Sequence, residues 1–395
     1  MNKSRRGPVR LTRRVAEIEP FRVMEILARA KELEARGRDI VHMEIGEPDF
    51  PTPEPVRRAG IAALEKGELF YTPALGLPEL RQAIADYYRT RYAVEVPPSR
   101  IIVTTGSSGA LMLACAALIE VGDEVILADP GYPANRQFVR AMGGVPRMIA
   151  VDASSAYQLA PHHLERAWKE KTAAALVASP SNPTGTLVST ERLDAMAEIA
   201  RAKGGTLIVD EIYHGLVYDG DAATVLALAD DVFVINSFSK YFNMTGWRLG
   251  WMVVPESYVS GIDRLSQNLY LAAPTPAQYA GLAALAPETL AILDARVRDF
   301  KSRRDYLLPE LRRLGFDIPV TPQGAFYIYA GCARLTRDSF SFTRDLLDQA
   351  NVAITPGNDF GSNQAEKYVR FAYTNSIDRL KEGVQRIERF LNRRQ

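Results

Sequence analysis

Lys240 and Arg248 lie in one segment, residues 237–250, and their side chains suit chemistry on a phosphorylated aldehyde. The segment follows an apolar run at residues 232–235, so it is predicted to begin where a buried strand ends. A lysine amine that forms an imine must be partly desolvated and held near its target. An arginine close by suits the phosphate of the same molecule. Both requirements are those of pyridoxal phosphate (PLP), although a surface lysine in a loop is the alternative for this segment taken alone.

A second segment that suits a phosphate joins a predicted strand to a predicted helix. Ser107 and Ser108 lie there, in the Thr-Gly-Ser-Ser-Gly-Ala run at residues 105–110. Its two glycines let the backbone approach a ligand closely, and a helix start offers amide donors and the positive end of a dipole. The run lacks the Gly-Lys-Ser/Thr of a P-loop and the Gly-x-Gly-x-x-Gly of a dinucleotide site. An ordinary N-capped turn is the alternative.

Other charged and amide side chains also lie at or beside predicted strands. Asp210 ends a buried-looking strand, where an ionised carboxylate needs a partner such as a protonated ring nitrogen. The alternative is an aspartate that caps the next helix, with Tyr213 on the same face. Asn182 lies in a loop stiffened by two prolines and a glycine, either as part of a tight turn or as a donor to a phenolate oxygen. Arg370 lies among apolar strand residues, so it either pairs with an anion such as a substrate carboxylate or faces water from an edge strand.

The elements that must position these residues alternate between strand and helix from about residue 51 to residue 290. Short runs of β-forming residues are predicted at 101–105, 124–128, 174–179, 206–210, 232–236 and 249–254. Helical stretches lie between many of them, at 80–91, 110–120 and 190–202. This alternation predicts an α/β fold with a mostly parallel sheet covered on both faces, in which ligands bind beyond the carboxyl ends of the strands.

The remaining elements predict a second, smaller domain with an α+β pattern. Helices are expected at 20–36, 287–314, 341–349 and 377–391, and strands or short apolar runs at 40–45, 325–329, 352–355 and 368–372. We therefore expect three parts: an N-terminal arm and segment at 1–50 that packs with the small domain, a large PLP-binding domain at 51–290, and a small C-terminal domain at 291–395.

Composition and charge exclude several classes of protein. The 395 residues are 47% hydrophobic and carry a formal net charge of +1, which gives no bulk electrostatic case for a nucleic-acid or membrane partner. The basic stretch at residues 1–14 is expected to fray in solvent. The two cysteines, Cys115 and Cys332, form no Cys-x-x-Cys pair, and the four histidines lack metal-ligand spacing, so no metal site is expected. The absence of a secretory h-region and of an apolar run of roughly 18 residues predicts a cytoplasmic protein.

In their order along the chain, these motifs resemble those of the class I and II aminotransferases, PLP enzymes of fold type I. The likeness is to the branch with many bacterial aspartate, alanine and aromatic aminotransferases, and it extends from about Arg14 to the C-terminus. It rests on Tyr71, on Arg370 and on the segments at 46–50, 76–81, 106–110, 182–185, 210–213, 237–240 and 246–248. The resemblance implies a large domain with a mostly parallel, seven-stranded sheet and a smaller α+β domain.

The resemblance also implies which residues hold the cofactor. Lys240 is the covalent attachment point, and Asp210 pairs with the ring nitrogen. Asn182 and Tyr213 are implied to contact the phenolate oxygen, and Tyr132 is implied to stack on the ring. The phosphate is implied to be bound by Ser107, Ser108, Ser237 and Arg248. Tyr71 is implied to reach the phosphate from the other subunit of a homodimer.

The implied reaction moves an amino group from an L-amino acid to a 2-oxo acid such as 2-oxoglutarate or pyruvate, by cycling between PLP and pyridoxamine phosphate. Arg370 then binds the substrate α-carboxylate, helped by the Gly46 amide and by Asn182. The catalytic residues are Lys240, which carries a proton between substrate and cofactor, together with Asp210 and Tyr213.

Two alternatives share these residues. A PLP lyase or decarboxylase on the same fold also needs Lys240 and Asp210. A PLP-sensing transcription regulator needs a DNA-binding domain ahead of this one, and about twenty residues before the first long predicted helix are too few for it.

The motifs leave the amino donor open. A dicarboxylic donor needs a second cation near its distal carboxylate. Some aspartate-specific relatives supply it as a lysine, but the matching position here is Ser108, and the segment 266–271 offers no arginine. These residues favour a neutral donor such as alanine, or a broad specificity, although Arg22 is a cation that would allow aspartate as the donor. An apolar pocket is expected from Phe21, Tyr71, Tyr132 and Phe326.

Overall fold

The helices of the molecule surround one large sheet and a smaller one. The computed structural model describes residues 11–220 and 222–394, so the first ten residues of the basic arm lie outside the described part. The helices are α1 Arg13–Glu17, α2 Arg22–Ala35, α3 Glu54–Lys66, α4 Pro78–Tyr92, α5 Gly106–Leu118, α6 Pro133–Ala141, α7 Pro161–Ala167, α8 Thr190–Ala202, α9 Glu256–Leu269, α10 Thr275–Ala284, α11 Pro287–Arg313, α12 Ser339–Ala350 and α13 Ile377–Asn392. The strands are β1 Val41–His42, β2 Ile101–Thr104, β3 Glu124–Asp129, β4 Val145–Ala150, β5 Thr172–Ala178, β6 Thr206–Asp210, β7 Phe233–Ser237, β8 Gly250–Val253, β9 Tyr327–Gly331, β10 Val352–Ala353, β11 Thr355–Pro356 and β12 Tyr368–Ala372.

The large sheet has seven strands in the order β2-β8-β7-β6-β5-β3-β4. Strands β3 to β7 run parallel, and β8 is antiparallel to both of its neighbours. The sheet is therefore mostly parallel, as the sequence predicts. Strand β4 is the one that the sequence pattern misses, because it is a half-exposed edge strand that contains Pro146 and Arg147 rather than a continuous apolar run.

Both faces of the large sheet are buried. Leu207 and Val209 of β6 belong to one apolar cluster, whereas Ile208 between them belongs to another on the opposite face. A strand buried on both faces needs apolar residues at successive positions, which is why β6 appears in the sequence as an unbroken apolar run. The carboxyl ends of the parallel strands then meet along one edge of the sheet, where Asp129, Asp210 and Ser237 lie.

The small sheet is antiparallel, in the order β11-β12-β9, so β12 is its central strand. Strand β1 pairs with β10, with Val41 opposite Val352, which ties the N-terminal segment to the C-terminal part of the chain. Helix α11 runs through the boundary predicted at residue 290. In the described residues, none of the helices has the length and apolar character that crossing a membrane requires.

Candidate active site

A cavity of about 340 Å³ opens at the carboxyl edge of the large sheet. Most of the site residues predicted from the sequence line it, namely Gly46, Ser107, Ser108, Tyr132, Asn182, Asp210, Tyr213, Lys240, Arg248 and Arg370. These residues come from strands β6 and β12 and from the segments that follow β1, β2, β3, β5, β6 and β7. The topology therefore gathers side chains that are far apart in the sequence.

One end of the cavity suits a phosphate. Helix α5 begins there at Gly106, whose φ is +73°, and a Cβ at this glycine would lie 2.6 Å from Nη2 of Arg248. The absence of a side chain thus lets the guanidinium lie against the first turn of the helix. Arg248 donates from Nη1 to the Thr245 carbonyl oxygen at 3.0 Å, which fixes its orientation. A helix start beside an arginine and the hydroxyls of Ser107 and Ser108 is an anion site.

Asp210 supplies a buried negative charge at the floor of the cavity. Burial raises the pKa of its carboxyl to about 7, although the Ile212 amide donates to Oδ1 at 3.1 Å and Lys240 acts in the opposite direction. The residues after Asp210 form turns rather than a helix, so the helix-capping alternative is wrong. A cationic ligand nitrogen beside this carboxylate would return its pKa towards the ordinary value.

Lys240 lines the same cavity and is half-buried. Burial lowers the pKa of its amine to about 8, partly offset by Glu47. Its Nζ donates to the Gly46 carbonyl oxygen at 2.7 Å and lies 6.0 Å from the centre of the Tyr213 ring. A lysine that is desolvated in this way has a substantial neutral fraction near neutral pH, which is the form that attacks an aldehyde.

Tyr213 is held by Tyr327, a residue that the sequence did not single out. The two hydroxyls lie 2.8 Å apart, and burial raises the pKa of Tyr213 well above its usual value. Gly46 makes room for this pair, because a Cβ at residue 46 would lie 2.0 Å from the Tyr327 hydroxyl oxygen. A glycine at this position is therefore a packing requirement of the site.

Arg370 is 5% exposed and lies in the central strand β12, so the alternative of a water-exposed arginine on an edge strand is wrong. Its Nη1 donates to Oδ1 of Asn182 at 2.9 Å, and its Nη2 donates to the Glu44 carbonyl oxygen at 2.5 Å. The guanidinium lies 4.3 Å from the centre of the Tyr327 ring and 4.8 Å from that of Phe360. Its buried Nε has no hydrogen-bond partner in the described protein, and the guanidinium as a whole is a buried cation that an anionic ligand in the cavity would balance.

The other end of the cavity is mostly apolar. Its apolar lining comes from Phe21, Val23, Met24, Ile45 and Phe360. Asp359 also lines the cavity, accepts the Arg22 amide at 2.7 Å, and has its pKa raised by burial. The side chain of Arg22 instead lies at the surface, 3.2 Å from Glu25. Phe326 is buried beneath the cavity wall and does not line it.

Two predicted site residues lie outside the cavity. The Ser237 hydroxyl donates to the Leu249 carbonyl oxygen at 3.3 Å and accepts a hydrogen bond from the Ser239 amide at 3.0 Å. Of these two serines, Ser239 lines the cavity and Ser237 does not. Tyr71 is 84% exposed on the single chain.

Comparisons of the sequence and of the structure with known proteins indicate the same family. Residues 38–387 match the family model described as aminotransferase class I and II. The chain is 39% identical to the valine–pyruvate aminotransferase of Mycobacterium tuberculosis, over 95% of this chain and 97% of that protein. It is 35% identical to the aspartate aminotransferase of Thermotoga maritima, over 97% of this chain and 100% of that one. An aminotransferase crystal structure from M. tuberculosis superposes with a TM-score of 0.94 at 38% identity, covering 98% of this chain and 100% of that chain.

The residues present fit the cofactor that this family uses. The cavity is lined by an anion site, a buried carboxylate and a lysine amine, which suit the phosphate, ring nitrogen and aldehyde of PLP. The names of the relatives favour an aminotransferase over a lyase or a regulator. The chain belongs to the class I and II aminotransferases and is therefore a PLP-dependent enzyme that transfers amino groups.

Proposed function

We propose that Lys240 is the residue that binds PLP covalently and that moves the proton during transfer. When bound, PLP supplies the aldehyde that takes up the amino group and a ring that accepts electrons. With an amino acid in place of the lysine at that aldehyde, the Lys240 amine would be free to act as a base. Because its pKa is lowered to about 8, Nζ can both accept and return a proton near neutral pH.

Other residues hold and tune the cofactor. Asp210 keeps the ring nitrogen protonated, because a buried carboxylate stabilises a cation beside it. Asn182 and Tyr213 donate to the phenolate oxygen, and Tyr132 stacks on the ring. Ser107, Ser108 and Arg248 bind the phosphate, and Ser237 supports this site through the Ser239 amide.

Arg370 binds the α-carboxylate of the amino acid. Its partner Asn182 fixes the guanidinium from one side, and the guanidinium lines the cavity as a cation that can pair with a carboxylate. The Gly46 amide adds a further donor. The observation that carries the whole proposal is that Lys240, Asp210 and Arg370 all line one cavity.

We further propose that the donor is a neutral amino acid. Of the described residues that line the cavity, the cationic ones are Lys240, Arg248 and Arg370, and each already has a role. The side-chain end is apolar apart from Asp359, whose charge opposes a second carboxylate. The same argument favours pyruvate over 2-oxoglutarate as the acceptor.

A panel of amino acids, each tested with pyruvate, oxaloacetate and 2-oxoglutarate, checks this proposal. We expect alanine or valine to exceed aspartate and glutamate in kcat/KM by at least about tenfold, because a distal carboxylate would be buried without a partner. A preference for aspartate would contradict the neutral-donor proposal.

Asp359→Asn is a matched variant for the same panel. The asparagine oxygen can still accept the Arg22 amide, so the helix contact is kept while the charge is removed. We expect glutamate to gain in kcat/KM relative to alanine. Equal changes for both donors would show that Asp359 does not discriminate by charge.

We propose a homodimer in which Tyr71 serves the partner's site. The support is the exposure of Tyr71 and of the neighbouring Phe70, 84% and 77%, which is unusual for large aromatic residues on a free surface. The exposed apolar residues Ile61 and Leu64 of α3 extend the same surface.

Mixing inactive variants tests this arrangement. Tyr71→Ala and Lys240→Ala chains should each be impaired alone, but refolding them together should restore up to about a quarter of wild-type activity. Random pairing makes half the dimers mixed, and each mixed dimer then has one intact site. No recovery on mixing would mean that Tyr71 acts within its own subunit or not at all.

We also propose the division into an N-terminal segment at 1–50, a large domain at 51–290 and a small domain at 291–395, supported by the pairing of β1 with β10.

We propose a cytoplasmic location, because Cys115 and Cys332 are buried and unpaired and free thiols are typical of a reducing compartment.

A further inference from the structure

One loop, residues 357–363, contacts several walls of the substrate end of the cavity; we call it the 357–363 loop. Its Asp359 accepts the amide of Arg22 at 2.7 Å, at the start of helix α2. Its Phe360 ring packs on the Arg370 guanidinium at 4.8 Å. The Phe360 carbonyl oxygen accepts the amide of Gly131 at 2.9 Å, next to Tyr132. The position of this loop therefore sets the positions of α2, Arg370 and the Tyr132 segment relative to one another.

The 357–363 loop is fixed by Asp129, the last residue of β3. The carboxylate is buried, with 4% of the residue exposed, and its Oδ2 accepts three hydrogen bonds. The donors are the Ser362 amide at 3.0 Å, the Ser362 hydroxyl at 3.1 Å and the Asn363 amide at 3.2 Å. Hydrogen bonds to an ionised acceptor are stronger than neutral ones, so this is a firm anchor.

The loop backbone is shaped to receive this carboxylate. A Cβ at Gly361 would lie 1.7 Å from Oδ1 of Asp129, so a side chain there would expel the carboxylate. The Asn363 side chain adds a bond from Nδ2 to the Val151 carbonyl oxygen at 3.3 Å, just beyond β4. The contact thus joins the edge of the large sheet to the loop that precedes β12.

We propose that Asp129 is a positioning residue for the amino acid substrate, which acts by holding the 357–363 loop against the large sheet. The inference rests on the proposed assignment of Arg370 to the substrate α-carboxylate. Without the anchor, Phe360 no longer confines the Arg370 guanidinium and Asp359 no longer holds the first turn of α2. Of the residues assigned to the cofactor, Tyr132 lies beside this loop, whereas Lys240, Asp210 and Arg248 lie in or after β6 and β7, so cofactor binding should change less than substrate binding.

The test uses the holoenzyme and three variants. Asp129→Ala removes the acceptor, Asp129→Asn keeps an oxygen but loses the charge, and Ser362→Ala removes one of the three donors while both amides remain. We expect KM for the amino acid to rise about tenfold in Asp129→Ala and by a smaller factor in Asp129→Asn, because misplacing a binding group is costly. Ser362→Ala should stay within about twofold of wild type. In all three, kcat and the absorbance of bound PLP should change little.

Hydrogen–deuterium exchange gives a second measurement that works even if Asp129→Ala does not fold. In Asp129→Asn, exchange should accelerate in both the 357–363 loop and the first turn of α2, and not in α5 at the phosphate end. An unchanged KM with unchanged exchange would overturn the proposal, and so would a fall in PLP affinity that matches the rise in KM. If wild-type protein neither binds PLP nor transaminates, the proposed function fails instead.

Discussion

Replacing Lys240 with alanine should remove the absorbance of covalently bound PLP and reduce turnover by about 10⁴-fold or more, because one side chain provides both the attachment and the proton transfer. The lysine lines the cavity, and its Nζ is held at 2.7 Å from the Gly46 carbonyl oxygen, so water cannot readily take its place. The anion site at Ser107, Ser108 and Arg248 is untouched, and PLP should still bind without the covalent bond. The checks are the visible spectrum and single-turnover kinetics with an amino acid.

Lys203→Ala is the matched control for this experiment. Lys203 is exposed at the end of α8, so its loss removes an amine without touching the cavity. The control should keep both the spectrum and the rate. Transamination by Lys240→Ala at the wild-type rate would contradict the assignment of this lysine.

The sequence predicts best those elements whose own residues determine them. Strands β6 and β12 and helix α8 have the predicted bounds, because runs rich in β-forming residues mark the two strands and a Ser189 cap marks the helix. The half-exposed edge strand β4 carries no such run and was missed. The residues predict six strands of the large sheet, and only the family resemblance implies the seventh.

Within the site, the sequence predicts the residues that lie in recognisable motifs and misses those set by distant contacts. The sequence does not single out Tyr327, because its hydroxyl meets that of Tyr213 only through contacts between parts of the chain that are far apart in sequence. Asp359 has no local signal, since its role depends on the start of α2. Ser237 and Ser239 are neighbours in one turn, and only the fold decides which of them faces the cavity.

Replacing Asp210 with asparagine should separate stability from activity. In the folded protein without cofactor, burial raises the carboxyl pKa from 3.8 to about 7. Between these values the folded chain holds a proton that the unfolded chain has released, so this group's contribution to stability falls as pH rises through that window. At pH 8 the cofactor-free wild type carries a buried charge that asparagine lacks, and Asp210→Asn should therefore unfold at a higher denaturant concentration than the wild type.

The same substitution should nearly abolish transamination. An amide cannot keep the ring nitrogen protonated as a buried carboxylate does, and we expect a loss of about 10²- to 10⁴-fold in kcat with PLP still attached to Lys240. Denaturant unfolding of the cofactor-free proteins at pH 5 and pH 8, together with kcat of the loaded enzymes, measures both effects. The stability gain should shrink at pH 5, where the wild-type carboxyl is itself protonated in the folded chain. A variant that is less stable than the wild type at pH 8 and equally active would show that Asp210 neither carries a destabilising buried charge nor serves the cofactor. A variant that is more stable and inactive would show that the Asp210 charge destabilises the fold and is needed for the reaction.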